Sequence, residues 1–267
     1  MFPHVVNKQA LSILGCLAPL FAVAQFTADF TSGEGYVNGP LVYGYNWEVY
    51  DATGGDTNTF IVNVEGSGKL EVKPSKDGFQ VAAFKGVGSH LSSNNYAGEM
   101  VFTLDYTKGT SATAEELIPI LPQIQYASTE DNAEGIYFGL RQVKGLNQFN
   151  IFVVDTFNGT NQAAFSDEFH GFAIGLDYDS SDNWSDGQSD VLVLTFEATY
   201  LGDNQWEQTS VLTNRTQSTI IASASQTTTD KDGSFESVGH KFRILPNNMA
   251  RYDVTAKVDK VGVTVSD

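Results

Sequence analysis

The chain has 267 residues, with 32 acidic against 15 basic side chains and a formal net charge of −17. At 41 % hydrophobic and 12 % aromatic it is too apolar for a disordered chain and too polar for a membrane bundle. The acidic balance argues against nucleic acid as a partner, because phosphate contacts need a basic face.

The first two dozen residues read as an address. A short region holding Lys8 precedes the apolar run Ala10 to Ala24, and Ala22-Val23-Ala24 fits the small-x-small pattern of a cleavage site. The reading is a signal peptide over 1–24, removed on export to the cell surface, the periplasm or the medium. Ile13-Leu14-Gly15-Cys16 resembles a lipobox and offers lipid attachment at Cys16 as a second route. No later segment is long and apolar enough to span a bilayer. Cleavage after Ala24 also removes Cys16 and Lys8, so the mature chain has no thiol chemistry and is one unit more acidic. His90, His170 and His240 are widely spaced and form no metal-binding pattern.

From residue 25 onward the chain reads as strands. The clearest are Phe60 to Val64, Lys69 to Val72, Gln80 to Phe84, Glu99 to Tyr106 and Gly135 to Val143. Phe149 to Asp155, Gly171 to Tyr178, Asp190 to Tyr200, Ser218 to Ala224 and Lys260 to Val265 follow. Turn formers such as TGGD, SNN, FNGT and DKDG separate them. Only Thr113 to Leu121 reads as helical, and Pro119 and Pro122 keep it short. In Val191 to Tyr200 the residues Leu192, Leu194, Phe196, Ala198 and Tyr200 share one apolar face, as a sheet packed on another sheet requires. Many short antiparallel strands without αβ alternation predict an all-β chain. The architecture expected is a single antiparallel β-sandwich over 25–267 with its first and last strands adjacent.

Several stretches are similar to a known fold family. Asp29-Phe30, then Tyr36-Val37-Asn38-Gly39-Pro40-Leu41, then Trp47 resemble the opening of secreted bacterial domains with the concanavalin A-like (LamG-like) jelly-roll fold. The segments 135–155, 190–214 and 254–267 resemble its later strands. The resemblance implies a jelly-roll sandwich. That fold hosts lectins, carbohydrate-binding modules, glycanases and polysaccharide lyases alike, so it does not choose among them.

The chemistry of this fold has recognisable spacings. Retaining glycanases on it place their two carboxylates on one strand as E-x-D-x-E, about 5–5.5 Å apart, and no such triplet occurs here. Lyases on it use an R-x-E-x-R strand, a Q-I-H strand and a tyrosine strand. Gln123-Ile124-Gln125 resembles the second of these, with Gln125 where the base would stand; Ile136 to Gln142 has Tyr137 but no matching Lys or second Tyr, and the arginine strand is missing.

The loop from Asp177 to Asp190 carries Asp177, Asp179, Asp182, Asp186 and Asp190. Calcium takes several oxygen ligands from flexible loops of this kind, so a calcium site is one reading, and a solvated turn is the other. Asp230-Lys231-Asp232-Gly233 is a smaller loop of the same type. Trp184 and Trp206 fall in predicted loops, where an indole stacks on a sugar face or caps the core. The expected ligand residues for a glycan or polysaccharide are therefore Trp184, Trp206, Tyr137, Arg141 and Gln125. Without a catalytic constellation, non-catalytic binding is the favoured function, and a hydrolase or lyase is the alternative. Asn158-Gly159-Thr160, Asn183-Trp184-Ser185 and Asn214-Arg215-Thr216 fit the N-glycosylation pattern.

Overall fold

The computed structural model describes residues 23–41, 47–51, 59–65, 68–73, 81–86, 95–107, 116–117, 121–126, 134–143, 148–176, 187–231, 233, 235, 240–245 and 253–266. The strands in chain order are β1 (Val23–Ala28), β2 (Gly39–Pro40), β3 (Glu48–Asp51), β4 (Phe60–Asn63), β5 (Lys69–Val72), β6 (Val81–Gly86) and β7 (Asn95–Thr107). Next come β8 (Glu116–Leu117), β9 (Leu121–Tyr126), β10 (Gly135–Gln142), β11 (Gln148–Asp155), β12 (Gln162–Phe165) and β13 (Phe169–His170). Then follow β14 (Gly187–Gln188), β15 (Leu192–Gly202), β16 (Gln205–Asn214), β17 (Thr219–Thr229), β18 (His240–Leu245) and β19 (Asp253–Ser266). Helical geometry among the described residues is confined to 3-10 turns at Ser32–Glu34, Phe157–Gly159 and Gly171–Ile174. None of the described helices is long and apolar enough to cross a membrane.

Among the described residues all the strand pairs are antiparallel, and they form two sheets. The first runs β17-β16-β15-β7-β19-β5-β4-β2, with β1 beside β19 and β14 beside β7. The second runs β12-β11-β10-β9-β18-β6-β3, with β13 beside β11 and β8 beside β10. The spine of the first sheet is the long pairing of β7 with β19, from Asp253↔Thr107 to Ser266↔Asn95. The expected closeness of the first and last strands is present, with Phe26↔Val263 and Ala28↔Val261 in register. This ladder also crosses the expected cleavage point, since Val23 and Ala24 pair with Val265 and Thr264.

Alternation decides which side chains face inward. Leu192, Leu194, Phe196 and Ala198 of β15 are buried, while Thr195 and Glu197 between them are exposed. Across the sandwich, Ile136, Phe138 and Leu140 of β10 and Phe242 and Ile244 of β18 complete the core. A row of rings joins the layers: Phe138 to Phe196 at 5.0 Å, Phe196 to Phe242 at 5.9 Å, Phe242 to Phe26 at 5.6 Å and Phe26 to Trp47 at 5.9 Å. Gly98 of β7 stands opposite Phe196, and a Cβ there would run into the Phe196 ring.

Two sequence expectations need correction. The stretch expected to be helical contributes β8 instead, where Glu116 and Leu117 pair with Gln142 and Arg141. Beyond β9 the far end of β10 has open hydrogen-bonding groups, and pairing with them satisfies a short segment that Pro119 prevents from continuing as a helix. Trp206, expected in a loop, is fully buried in β16. The turn before it is only Asp203-Asn204, both left-handed at φ 52° and 58°, which is the two-residue turn that matches strand twist. That short turn puts Trp206 opposite Tyr200 on the inner face, where its ring lies 5.1 Å from Phe235 and 5.3 Å from Tyr200.

A polar cluster lies inside the edge where β11 and β12 meet β16 and β17. Asp155 is fully buried, and its carboxylate accepts from the Phe157 N–H and from Gln226 Nε2, both at 3.2 Å. Gln226 Nε2 also reaches Gln208 Oε1 at 2.7 Å, and Gln208 Nε2 donates to Thr228 Oγ1 at 2.8 Å. Burial raises the Asp155 pKa, and hydrogen bonds from Thr228, Phe157 and Gln208 only partly oppose it.

Two predictions follow from this core. Trp206→Ala should cost about 3–5 kcal/mol, the range for deleting a buried aromatic side chain, and appear as a large fall in melting temperature. For Asp155, the folded state holds its proton more tightly than the unfolded chain, so stability falls as pH rises above about 4 through the raised pKa. Asp155→Asn should remove this term. Melting curves of the two proteins should then diverge in favour of the Asn variant from acid toward neutral pH, and parallel curves would contradict the assignment.

Candidate functional site

The outer face of the second sheet gathers polar and aromatic residues from distant parts of the chain. Inward positions of β10 and β11 are core residues, so Tyr137, Arg141, Asn150, Phe152 and Val154 occupy the other face. Strand register extends one row across it: Glu48↔Phe84, Phe84↔Arg243, Arg243↔Gln123, Gln123↔Tyr137 and Tyr137↔Val154. With neighbouring strands about 4.8 Å apart, Arg243 and Tyr137 are separated by roughly 10 Å of backbone. Gln125 lies on the next row between Lys241 and Gly135.

Arg243 is the unusual member, because only 1 % of it is exposed. Arginine is rarely buried to that degree, and its flanking residues Phe242 and Ile244 are the core anchors that force it onto this face. At the β10 end, Arg141 is fixed from two sides. Its Nε donates to Asn150 Oδ1 at 3.1 Å, and its guanidinium lies 4.1 Å over the Phe165 ring. Phe165 in turn covers Phe152 at a ring distance of 6.2 Å and keeps 46 % of its own surface exposed. Along the same edge, His170 pairs opposite Gln148 and stacks on the exposed Phe172 at 4.5 Å. The result is a planar cation and exposed rings beside hydrogen-bonding groups, an arrangement that offers apolar contact and polar recognition together.

The predicted residues fare unequally. Tyr137 and Arg141 are on this face, and Gln123 and Gln125 hold register positions on it. Trp206 is not, since it belongs to the core. Trp184 and the aspartates Asp177, Asp179, Asp182 and Asp186 lie outside the described residues. Asp190 is described, and its Oδ2 accepts from Asn214 Nδ2 at 2.7 Å and from Gln217 Nε2 at 2.8 Å. It thereby ties the loop to the β16 end, packed against Gly175, where a Cβ would stand 2.6 Å from the Asp190 carboxyl carbon and the left-handed φ of 77° favours glycine. Asp230 likewise uses its carboxylate locally, accepting from the N–H groups of Gly233 and Phe235 at 3.2 and 2.9 Å. Among the described residues no group of three or more His, Cys, Asp or Glu is placed to hold a metal ion.

Glu48, Asn150, Phe165 and Arg243 were missed by sequence reasoning. The alternation of Lys241 and Arg243 with Phe242 and Ile244 was the available signal for β18. Two glycosylation patterns are closed by structure. Asn214 is buried with its amide on Ala173 O and Asp190, and Asn158 donates to Thr229 O and accepts from the Lys231 N–H.

The opposite sheet carries a cleft of about 580 Å³ lined by Asp29, Arg215, Asp259 and Lys260 among others. Its charges are largely paired internally. Lys260 Nζ donates to Glu99 at 2.7 Å, which raises its pKa, and Asp259 pairs with Lys69 at 3.1 Å. The second sheet's outer face is the better candidate because its polar groups are held by the scaffold and flanked by exposed rings.

Asp190→Ala should destabilise the fold by about 1–3 kcal/mol, since the fully buried Asn214 amide loses an acceptor while the exposed Gln217 can turn to water. Thermal melting checks this, and an unchanged melting temperature would show that the network is not structural.

The sequence matches no family model and no curated protein. Among solved structures, a GH43 glycoside hydrolase engineered to display both endo-xylanase and exo-arabinofuranosidase activity is similar with a TM-score of 0.51 at 13 % identity. The match covers 97 % of this chain and 42 % of that one, so this chain spans less than half of the enzyme's length. Lectin UEA-II complexed with galactose gives a TM-score of 0.49 at 13 % identity, over 91 % of this chain and 98 % of that one. The endo-1,3-beta-glucanase from Streptomyces sioyaensis gives 0.48 at 11 %, over 91 % and 95 %. Identities this low speak to architecture alone. With its two antiparallel sheets and adjacent terminal strands, the chain folds as a β-sandwich of the concanavalin A-like jelly-roll class.

Proposed function

We propose that this protein binds carbohydrate on the outer face of its second sheet. The observation that carries the reading is Arg141 held flat over the exposed Phe165 by Asn150, in the same sheet face as Tyr137 and Gln123. Pyranose rings present apolar C–H faces and equatorial hydroxyls, so they suit exposed rings set beside fixed donors and acceptors. Binding without turnover is the favoured form. Among the described residues of this face and its β12–β13 edge the carboxylates are Glu48, Asp167 and Glu168; Glu48 stands on the far edge strand from the other two, and a pair flanking one glycosidic bond is what hydrolysis requires.

A second reading is polysaccharide processing. It is favoured by the cross-strand alignment of Arg243, Gln123 and Tyr137, which sets a cation, an amide and a phenol in one row. Export with cleavage after Ala24 belongs to the proposal, and such a cut leaves the Phe26↔Val263 pairing intact. Calcium at the Asp177–Asp190 loop would require Asp177, Asp179, Asp182 and Asp186 as ligands, since the Asp190 Oδ2 already serves two amides.

The test is a glycan array run with the mature chain, alongside assays for new reducing ends and unsaturated products. Retention of a glycan without product is expected. Phe165→Ala should weaken binding by about 1–3 kcal/mol, roughly the value of one aromatic stacking contact, without lowering the melting temperature. Turnover lost in Tyr137→Phe would establish the second reading, and absence of both binding and turnover would remove the proposal.

A further inference from the structure

We infer that this chain forms a two-fold dimer through the free edge of its first sheet, β17 of one copy pairing antiparallel with β17 of a second. The inference goes beyond carbohydrate binding and does not depend on it.

The sheet edges differ sharply from one another. Among the described residues the first sheet ends in β17 and β2, and the second in β12 and β3. A strand edge presents unpaired N–H and C=O groups, and folded chains blunt it with shortness, proline or charge. β2 is two residues long and holds Pro40, β12 is four residues long, and β3 is four residues long with Glu48 and Asp51 at its ends. The strands set beside these paths, β1, β8, β13 and β14, are two to six residues long, and β1 is bulged between Ala24 and Phe26. β17 has none of these devices along most of its length. It runs for 11 residues, TIIASASQTTT, with no charge and no proline. At roughly 3.4 Å per residue that is about 37 Å of edge. Among the described residues its main chain bonds to β16, and beyond that only the Thr229 carbonyl is engaged, accepting from Asn158 Nδ2 at 3.1 Å. Ile220, near its other end, is 74 % exposed.

A second copy of this chain is the occupant that the edge fits. Two identical strands paired antiparallel about a two-fold axis are in register by symmetry. A bulge at Ile221 interrupts the ladder to β16, so the regular stretch begins at Ala222. An axis at Ser225 sets Ser225 against Ser225, Ala224 against Gln226, Ser223 against Thr227 and Ala222 against Thr228. The members of each pair share a face, with Ser223, Ser225 and Thr227 on the exposed side and Ala224 and Thr228 on the buried side. No pair opposes like charges, although the chain carries 32 acidic against 15 basic residues. Glu207 stands one strand in, opposite Thr227, and the far end of its row in the second copy is Val211. The axis of such a pairing is perpendicular to the sheet. Both second sheets then lie on one side with their outer faces pointing the same way, so under the carbohydrate reading one polysaccharide chain meets two sites.

The experiment follows the mass of the mature chain by analytical ultracentrifugation from micromolar to near-millimolar concentration, at low and raised sodium chloride. A monomer–dimer equilibrium is expected. It should tighten as salt rises, because two molecules this acidic repel each other while the paired edge itself is uncharged. Ser225→Lys and Ser225→Glu should each weaken association about tenfold or more, since either sets like charges across the axis. An effect of net charge alone would make the Lys variant associate more tightly and the Glu variant less. Ser225 is exposed, so both variants should melt like the parent in dilute solution, where all three are monomers. A monomer at every concentration would overturn the inference, whatever other strand the edge accepts. So would a dimer that loosens as salt rises, one untouched by both substitutions, or one on which Lys and Glu act in opposite directions. Glycan binding by a strict monomer leaves the carbohydrate reading standing alone, and a dimer that retains no glycan leaves this inference standing alone.

Discussion

The structure depends on one close approach, the Phe196 ring lying across Gly98 between the sheets. Phe196 belongs to β15 and Gly98 to the neighbouring β7, so the ring crosses the sheet surface instead of standing up from it. That position lets it meet Phe138 at 5.0 Å and Phe242 at 5.9 Å on the opposite layer. Phe242 passes the contact to Phe26 and Trp47, which seat the N-terminal strand on the last one. Side chains packed at native density fix sheet spacing, and here a glycine sets how deep the central ring can sit.

The same packing creates the candidate site. In β18, Phe242 and Ile244 are locked into the core, so pleating leaves Arg243 nowhere to go but the outer face. The ladder then carries Arg243 across to Gln123 and Tyr137, residues more than a hundred positions earlier in the chain. Core and site are thus two faces of one register. A slip by one residue in β18 would bury the charge in the sandwich and expose Phe242.

Burial of polar groups is handled locally and differently at three places. Asp190 anchors its loop through two amides, and Asp230 caps backbone N–H groups, so both carboxylates stay at points where donors converge. Asp155 is the costly case, fully buried where the two sheets meet, and its amide partners Gln208 and Gln226 answer part of the desolvation.

The sequence alone determined the all-β class and the burial of β15, because alternation is a local property that a strand cannot disguise. For the adjacency of the first and last strands it offers only the general closeness of domain termini, and the ladder of β1 with β19 decided it. It also placed Tyr137 and Arg141 on one face, since they are four residues apart on one strand. The tertiary structure decided what local pattern could not. Glu116 and Leu117 became strand because β10 offered them open hydrogen-bonding groups, and Trp206 went inside because a two-residue turn set its parity. Arg243, Phe165 and Asn150 joined the site through pairings whose partners are distant in sequence, and no periodicity within a strand records which other strand will lie beside it.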